Sequence, residues 1–143
     1  MAKNMANYFQ EIYDGFIDFD KDNQYKPIYT KVTPLNFTKF PVIHIVERKN
    51  VTGKETTNRE YQYDDLSYEV NIYTKDEING KEIISCIEIA DYLKLKVNEY
   101  FDVRLGMRRT FCEPIPILNQ GIYRIQMRYS CSVDKQRNII IRR

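Results

Sequence analysis

The residue types able to do chemistry in this chain stand at spacings that do not suit catalysis. The one histidine, His44, sits in the middle of an apolar run, Phe40 to Glu47. A Cys–His or Ser–His pair would have to use it, and a lone strand histidine more often satisfies the core than activates a nucleophile. The three cysteines, Cys86, Cys112 and Cys131, lack CxxC spacing, so with a single histidine they make no zinc site. Asp64–Asp65 and Asp76–Glu77 are paired carboxylates of the kind that hold Mg2+ in nucleases, but no third acid or lysine stands at a matching spacing. Neither GxxxxGKS/T nor GxGxxG occurs, which removes the common phosphate cradles. The expectation is a chain that is not an enzyme and carries neither cofactor nor metal.

What remains is recognition by arginine. Eight arginines lie from Arg104 onward, although the net charge of the whole chain is only +2. Bulk nucleic-acid binding has no support from that balance, so any basic effect must be local. Arg108 and Arg109 fall in the short segment Met107–Cys112, and Arg124, Gln126 and Arg128 alternate along a later strand. Guanidinium groups on one sheet face either remain solvated or meet a neighbouring subunit or a pore, where Arg is favoured over Lys. Close together they repel unless acids or phosphates are near. Asp64, Asp65 or Glu69 of a neighbouring subunit are candidates to supply that partner.

Hydrophobic periodicity gives the elements that must position these residues. Residues 5–17 read as a helix with Met5, Phe9, Ile12 and Phe16 on one face, weakened at its end by Asp14–Gly15. A charged loop follows over 18–25, and Pro27 and Pro34 keep 26–39 extended at best. The β-branched run 40–47 predicts a central strand covered on both faces. Residues 48–61 are polar with one glycine and predict a long exposed hairpin loop, with Asn50, Gly53, Lys54, Glu55 and Arg59 as partner contacts. Leu66, Tyr68, Val70 and Ile72 alternate with Ser67, Glu69, Asn71 and Tyr73 in a half-buried strand. After the Asn79–Gly80 turn a long helix is expected over 82–101. Its apolar stripe is Ile83, Cys86, Ile87, Ala90, Leu93, Val97 and Phe101, so Ile87→Asp should bury an unpaired charge and abolish folding.

Met107–Cys112 predicts a short strand stopped by Pro114 and Pro116. Ile122–Asp134 predicts a strand with Tyr123, Ile125, Met127, Tyr129, Cys131 and Val133 on one face. The C-terminal tail, 135–143, carries Ile139, Ile140 and Ile141, either a final core strand or an arm that adds to a neighbour's sheet. The implied fold is a single α+β domain over 1–143. Its one sheet has about four strands, mainly antiparallel with room for a mixed pairing across the crossover helix, and both helices pack on it. An odd number of cysteines implies at least one free thiol, and reduced buried cysteines are expected. No apolar run reaches signal-peptide or membrane-span length, so neither a cleaved export signal nor a membrane is expected.

The block Leu66–Asp134 resembles the tail terminator (tail completion, head–tail joining) proteins of tailed bacteriophages and phage-tail-like particles. The residues that carry this are Tyr68–Thr74, the helix with Ile83, Ile87, Ala90, Leu93 and Val97, Gly106–Arg109, Pro114–Ile115–Pro116, and Tyr123–Tyr129 followed by Asp134. The resemblance covers roughly half the chain; the N-terminal helix and the strand at 40–47 agree in type and order. It implies a virion protein, assembled in the host cytoplasm, that forms a ring, usually a hexamer. The ring would cap the head-proximal end of the tail tube and meet a head-completion or connector protein, with DNA passing through the pore. Another neck or head-completion adaptor ring, or a host-directed binding protein without a ring, are the alternative readings.

Overall fold

The computed structural model describes residues 5–33, 38–54, 62–115, 121–134 and 139–141. The first helix, α1, spans Met5–Phe19. It buries Tyr8, Ile12 and Phe16, one every four residues, against the sheet. It runs straight through Gly15 because the Tyr100 ring lies against that backbone; a Cβ there would collide with the Tyr100 hydroxyl. The loop after α1 is polar in composition yet partly buried. Asp20 accepts hydrogen bonds from Asn23 and from the Tyr29 hydroxyl, so its burial costs little.

Among the described residues, six strands form the main sheet: β1 (Ile28–Thr30), β2 (Val42–Lys54), β3 (Gln62–Thr74), β6 (Arg108–Ile115), β7 (Tyr123–Asp134) and β8 (Ile139–Ile141). Two more, β4 (Glu77–Asn79) and β5 (Glu82–Ile84), form a separate hairpin. The main order is β1-β2-β3-β7-β6, and β8 pairs with the end of β7 beyond β6. β1 is parallel to β2; every other pairing is antiparallel. The sheet is therefore α+β and mixed, with more than the four strands expected. β3 and β6 are each antiparallel to β7 and hence parallel to each other, so the second helix is a crossover with β7 inserted between the strands it connects.

Of the polar stretch 48–61, residues 48–54 are strand rather than loop, and 55–61 lie outside the described residues. β2 and β3 stay paired out to Lys54↔Gln62, with a register shift between Glu47 and Lys49. β7 holds the other edge of β3 as far as Tyr63↔Asp134, and backbone pairing needs no apolar alternation to continue. Asn50, Gly53 and Lys54 thus lie in β2, while Glu55 and Arg59 fall outside the described residues. β6 likewise runs through Pro114 to Ile115. A proline is tolerated there because β6 is an edge strand.

The helix α2 spans Cys86–Asn98 and passes into a π turn, Glu99–Arg104. It starts four residues later than periodicity suggested. Gly80, at φ 66, closes the β4–β5 hairpin, and the Ser85 side chain then caps the helix by accepting from the Ile87 N–H. Ala90, Leu93, Val97 and Phe101 of the expected stripe are buried, but its N-terminal members are not. Ile89, Ala90, Leu93 and Val97 face the core, whereas Ile83 and Ile87 are 69% and 51% exposed. Gly106, at φ 75, turns the chain out of the π turn into β6.

Both helices pack on one sheet face. Ile43, Ile45, Tyr68, Val70, Ile72, Met127 and Tyr129 meet the helices there. Phe16 lies among Phe19, Tyr29, Tyr100 and Phe101, and Phe101 stacks on Tyr129 at 5.1 Å.

Two substitutions test this packing. Ile89→Asp should abolish cooperative folding, because it buries an unpaired carboxylate, whereas Ile87→Asp should yield folded protein. Circular dichroism and thermal melts distinguish them. Gly15→Ala should destabilise by about 1–3 kcal/mol in urea titrations, because overpacking against Tyr100 outweighs the gain in helix propensity. In a Tyr100→Phe background the same change should become neutral or stabilising, since the colliding hydroxyl is gone.

Candidate functional site: the polar sheet face around Glu69

The period-2 alternation that sends Tyr68, Val70 and Ile72 into the core puts Glu69, Asn71 and Tyr73 on the opposite face. Strand pairing brings His44 of β2 opposite Asn71, Arg128 of β7 opposite Glu69, and Arg124 opposite Tyr73. The result is a network centred on one carboxylate. Arg48 Nη1 donates to Glu69 Oε1 at 2.6 Å, and Asn71 Nδ2 donates to Glu69 Oε2 at 3.0 Å. Arg128 Nε lies 3.5 Å from Glu69 Oε1, an ion pair without a hydrogen bond. Arg124 donates twice to Asn71 Oδ1, from Nε at 3.2 Å and from Nη2 at 2.8 Å.

Asn71 is fully buried, and the arrangement uses all of its capacity. Its oxygen takes both bonds from Arg124, and its amide nitrogen faces Glu69 and, at 3.4 Å, His44 Nδ1. That pattern fixes the orientation of the amide. Burial pushes the Glu69 carboxyl up, but hydrogen bonds from Asn71, Arg48 and Gln126 and the charge of Arg48 outweigh it and leave the pKa below its ordinary 4.5. Burial lowers the pKa of His44 from 6.5, helped by the charge of Arg124, while a hydrogen bond to the Lys31 backbone and the charge of Glu69 oppose this. His44 is thus a neutral, buried part of the polar network. The arginines also stack: Arg124 lies over Tyr73 at 5.4 Å and Arg128 over Phe111 at 4.9 Å.

The candidate residues separate into three groups. Arg124, Gln126 and Arg128 share this face, and Arg108 joins them through its pairing with Ser130. Arg109 does not; it pairs with Tyr129, whose side chain enters the core. The bulge between Arg109 and Phe111 then restores Phe111 to the side of Arg128. Nor do the arginines depend on an acid from another chain, because Glu69 of the same chain is already among them. The stretch Ile139–Ile141 is strand β8, paired to Ser132–Asp134 of its own chain. Strand addition along β6 is disfavoured by its bulge and by Pro114, both devices that blunt an edge.

Arg48 and His44 were missing from the sequence-level site. The alternation of β3 identifies Glu69 and Asn71, but only the β2–β3 register brings Arg48 to Glu69. Among the described residues, no group of three or more His, Cys, Asp or Glu side chains is placed to hold a metal ion, and no helix is long and apolar enough to cross a membrane. Burial and the charge of Asp65 push the Cys131 thiol up to about 12, so it is no nucleophile at neutral pH. Compared with known proteins, the chain matches no protein-family model, and no curated protein is significantly similar to it.

The depressed pKa of Glu69 carries a stability signature. Its contribution is complete above pH 4.5 and is lost as pH falls through the lower folded-state value. Glu69→Gln should therefore cost about 1–3 kcal/mol at neutral pH and flatten the loss of stability in acid. Urea unfolding of both proteins from pH 7 down to pH 3 measures this. Parallel pH profiles would remove Glu69 from the account.

Proposed function

We propose that this chain is a structural virion protein, a tail terminator of a tailed bacteriophage or phage-tail-like particle, whose copies form a ring at the head-proximal end of the tail tube. The observation that carries this reading is the polar face of the sheet. Three arginines, Arg48, Arg124 and Arg128, are held in fixed positions by one carboxylate and one amide, so the network has more positive than negative charge. Held guanidinium groups lose less entropy on binding than free ones, which suits them to carboxylates of a neighbouring copy or to phosphates of DNA in a pore. The fold supports the same reading. Both helices occupy the other face, which leaves this one for contacts outside the chain. The order strand, crossover helix, Arg-bearing edge strand and central strand is the one on which the resemblance to tail terminators rests. The role is assembly rather than catalysis, with the tail tube end and a head connector as partners.

The purified protein should form rings with a central opening in negative-stain images, and native mass spectrometry should give one cyclic stoichiometry. Arg124→Gln combined with Arg128→Gln should leave the circular dichroism spectrum intact and weaken the ring. Neutralisation is chosen over reversal because a new carboxylate beside Glu69 would repel it. A salt series on the unmodified protein identifies the arginines' partner. Ring dissociation at high salt points to a neighbouring copy, and a stable ring with salt-sensitive DNA retention points to the pore. A double variant that assembles and binds like the unmodified chain would show that this face is merely solvated.

A further inference from the structure

The β4–β5 hairpin is an oddity of this fold. Its strands have three residues each and pair only with one another. A lone two-stranded hairpin is marginal in water unless one face is covered. Here the cross-strand pair that should stabilise it, Ile78↔Ile83, is turned outward, at 75% and 69% exposure. Ile87, in the first turn of α2, extends the same exposed segment. Together the three side chains leave roughly 300 Å2 of apolar surface open, comparable to the largest apolar patch of a typical monomer, which often serves a function.

Two further exposed apolar side chains lie along the same helix and its π turn. Leu95 and Val103 are 68% and 72% exposed. A continuous α-helix advances roughly 40° for every four residues, which would rotate Val103 well away from Leu95 over eight. The wider π turn at Glu99–Arg104 takes back part of that rotation, so the two side chains lie closer to one line. The rims of the two patches differ in charge. Residues 75–88 carry Asp76, Glu77, Glu82 and Glu88 against Lys75 and Lys81, a net of −2. Around Leu95 and Val103 the chain carries Lys94, Lys96, Arg104 and Arg109 against Asp91, which pairs with Lys94, Glu99 and Asp102, a net of +1.

We propose that the β4–β5 hairpin of one copy docks on the Leu95–Val103 face of a second copy of this chain, forming the head-to-tail contact of a ring. The proposal rests on the ring reading above and names its interface. A closed ring of identical subunits needs two different patches on each subunit that complement one another. These two are apolar and opposite in rim charge, and their nearest members along α2, Ile87 and Leu95, stand roughly 12 Å apart at 1.5 Å per residue. Their apolar areas sum to roughly a third of a standard interface of about 1,600 Å2, and the charged rims supply the polar remainder. Contact through these side chains does not involve the blunted β6 edge, and it leaves the Glu69 face available as a second contact within the ring or as the lining of its pore.

Native mass spectrometry and size-exclusion chromatography with light scattering test this with two double variants, Ile78→Glu/Ile83→Glu and Leu95→Glu/Val103→Glu. All four residues are exposed, so both proteins should keep the circular dichroism spectrum of the unmodified chain; serine replacements serve if glutamate perturbs the hairpin. Each variant alone should lose the ring and run as a monomer. An equimolar mixture should give a one-to-one dimer, because the intact hairpin of one variant meets the intact helix face of the other. A ring that survives either substitution overturns the contact while the ring reading stands. A mixture that stays monomeric although each variant breaks the ring places the patches in different contacts and overturns their pairing. If the unmodified chain forms no ring, the ring reading itself fails and this interface fails with it.

Discussion

β3 is bonded along both edges, to β2 and to β7, and its two faces meet opposite requirements. Tyr68, Val70 and Ile72 lie fully buried under the helices, and burying side chains of this size contributes about 1.5–3 kcal/mol each. The residues between them, Glu69 and Asn71, are carried to the other face and nearly buried as well, which is costly for polar groups that lack partners. A register slip of one residue would exchange the two sets, placing a carboxylate in the core and three large apolar side chains on the polar face. The alternation of β3 therefore locks the register of the whole sheet. Through that register it also determines where the arginines of β7 stand.

The network around Glu69 follows from this constraint. Glu69 and Asn71 cannot avoid burial, so their hydrogen-bonding capacity must be met locally, and the strands on either side meet it with Arg48, His44, Arg124, Gln126 and Arg128. A group recruited to satisfy a buried acid is also held still. The arginines are thus positioned by contacts within the chain. The helix layer shows the converse. The core uses Ile89, Ala90, Leu93 and Val97 of α2 and takes Ile84 of the hairpin at its edge, while Ile78, Ile83, Leu95 and Val103 stay exposed.

Much of this was readable in the chain. The strong alternation over 66–74 and 123–133 identified the two central strands and their inward faces correctly, and the α1 stripe of Ile12 and Phe16 was likewise correct. The start of α2 was also encoded but was overridden by periodicity. Asn79–Gly80 is a hairpin signal, and Ser85 with Glu88 three residues on has the spacing of a capping box. Those local signals end the hairpin and begin the helix at Cys86, which turns Ile83 and Ile87 outward and Ile89 inward. Gly15 was misread for a different reason. A glycine in a helix looks like a weak end until the Tyr100 ring that needs the space is known.

By itself the sequence determined the α+β class and the central strands with their inward and outward residues. These depend on short-range periodicity, which side-chain geometry imposes within a single element. Tertiary structure alone decided the rest. The parallel β1–β2 pair, the insertion of β7 between β3 and β6, the pairing of the polar 48–54 stretch, and the convergence of Arg48, Glu69, Asn71 and Arg124 all join residues distant along the chain. No local pattern encodes such pairings. They are settled by which strands can satisfy one another's backbone groups while the apolar faces close on a single core.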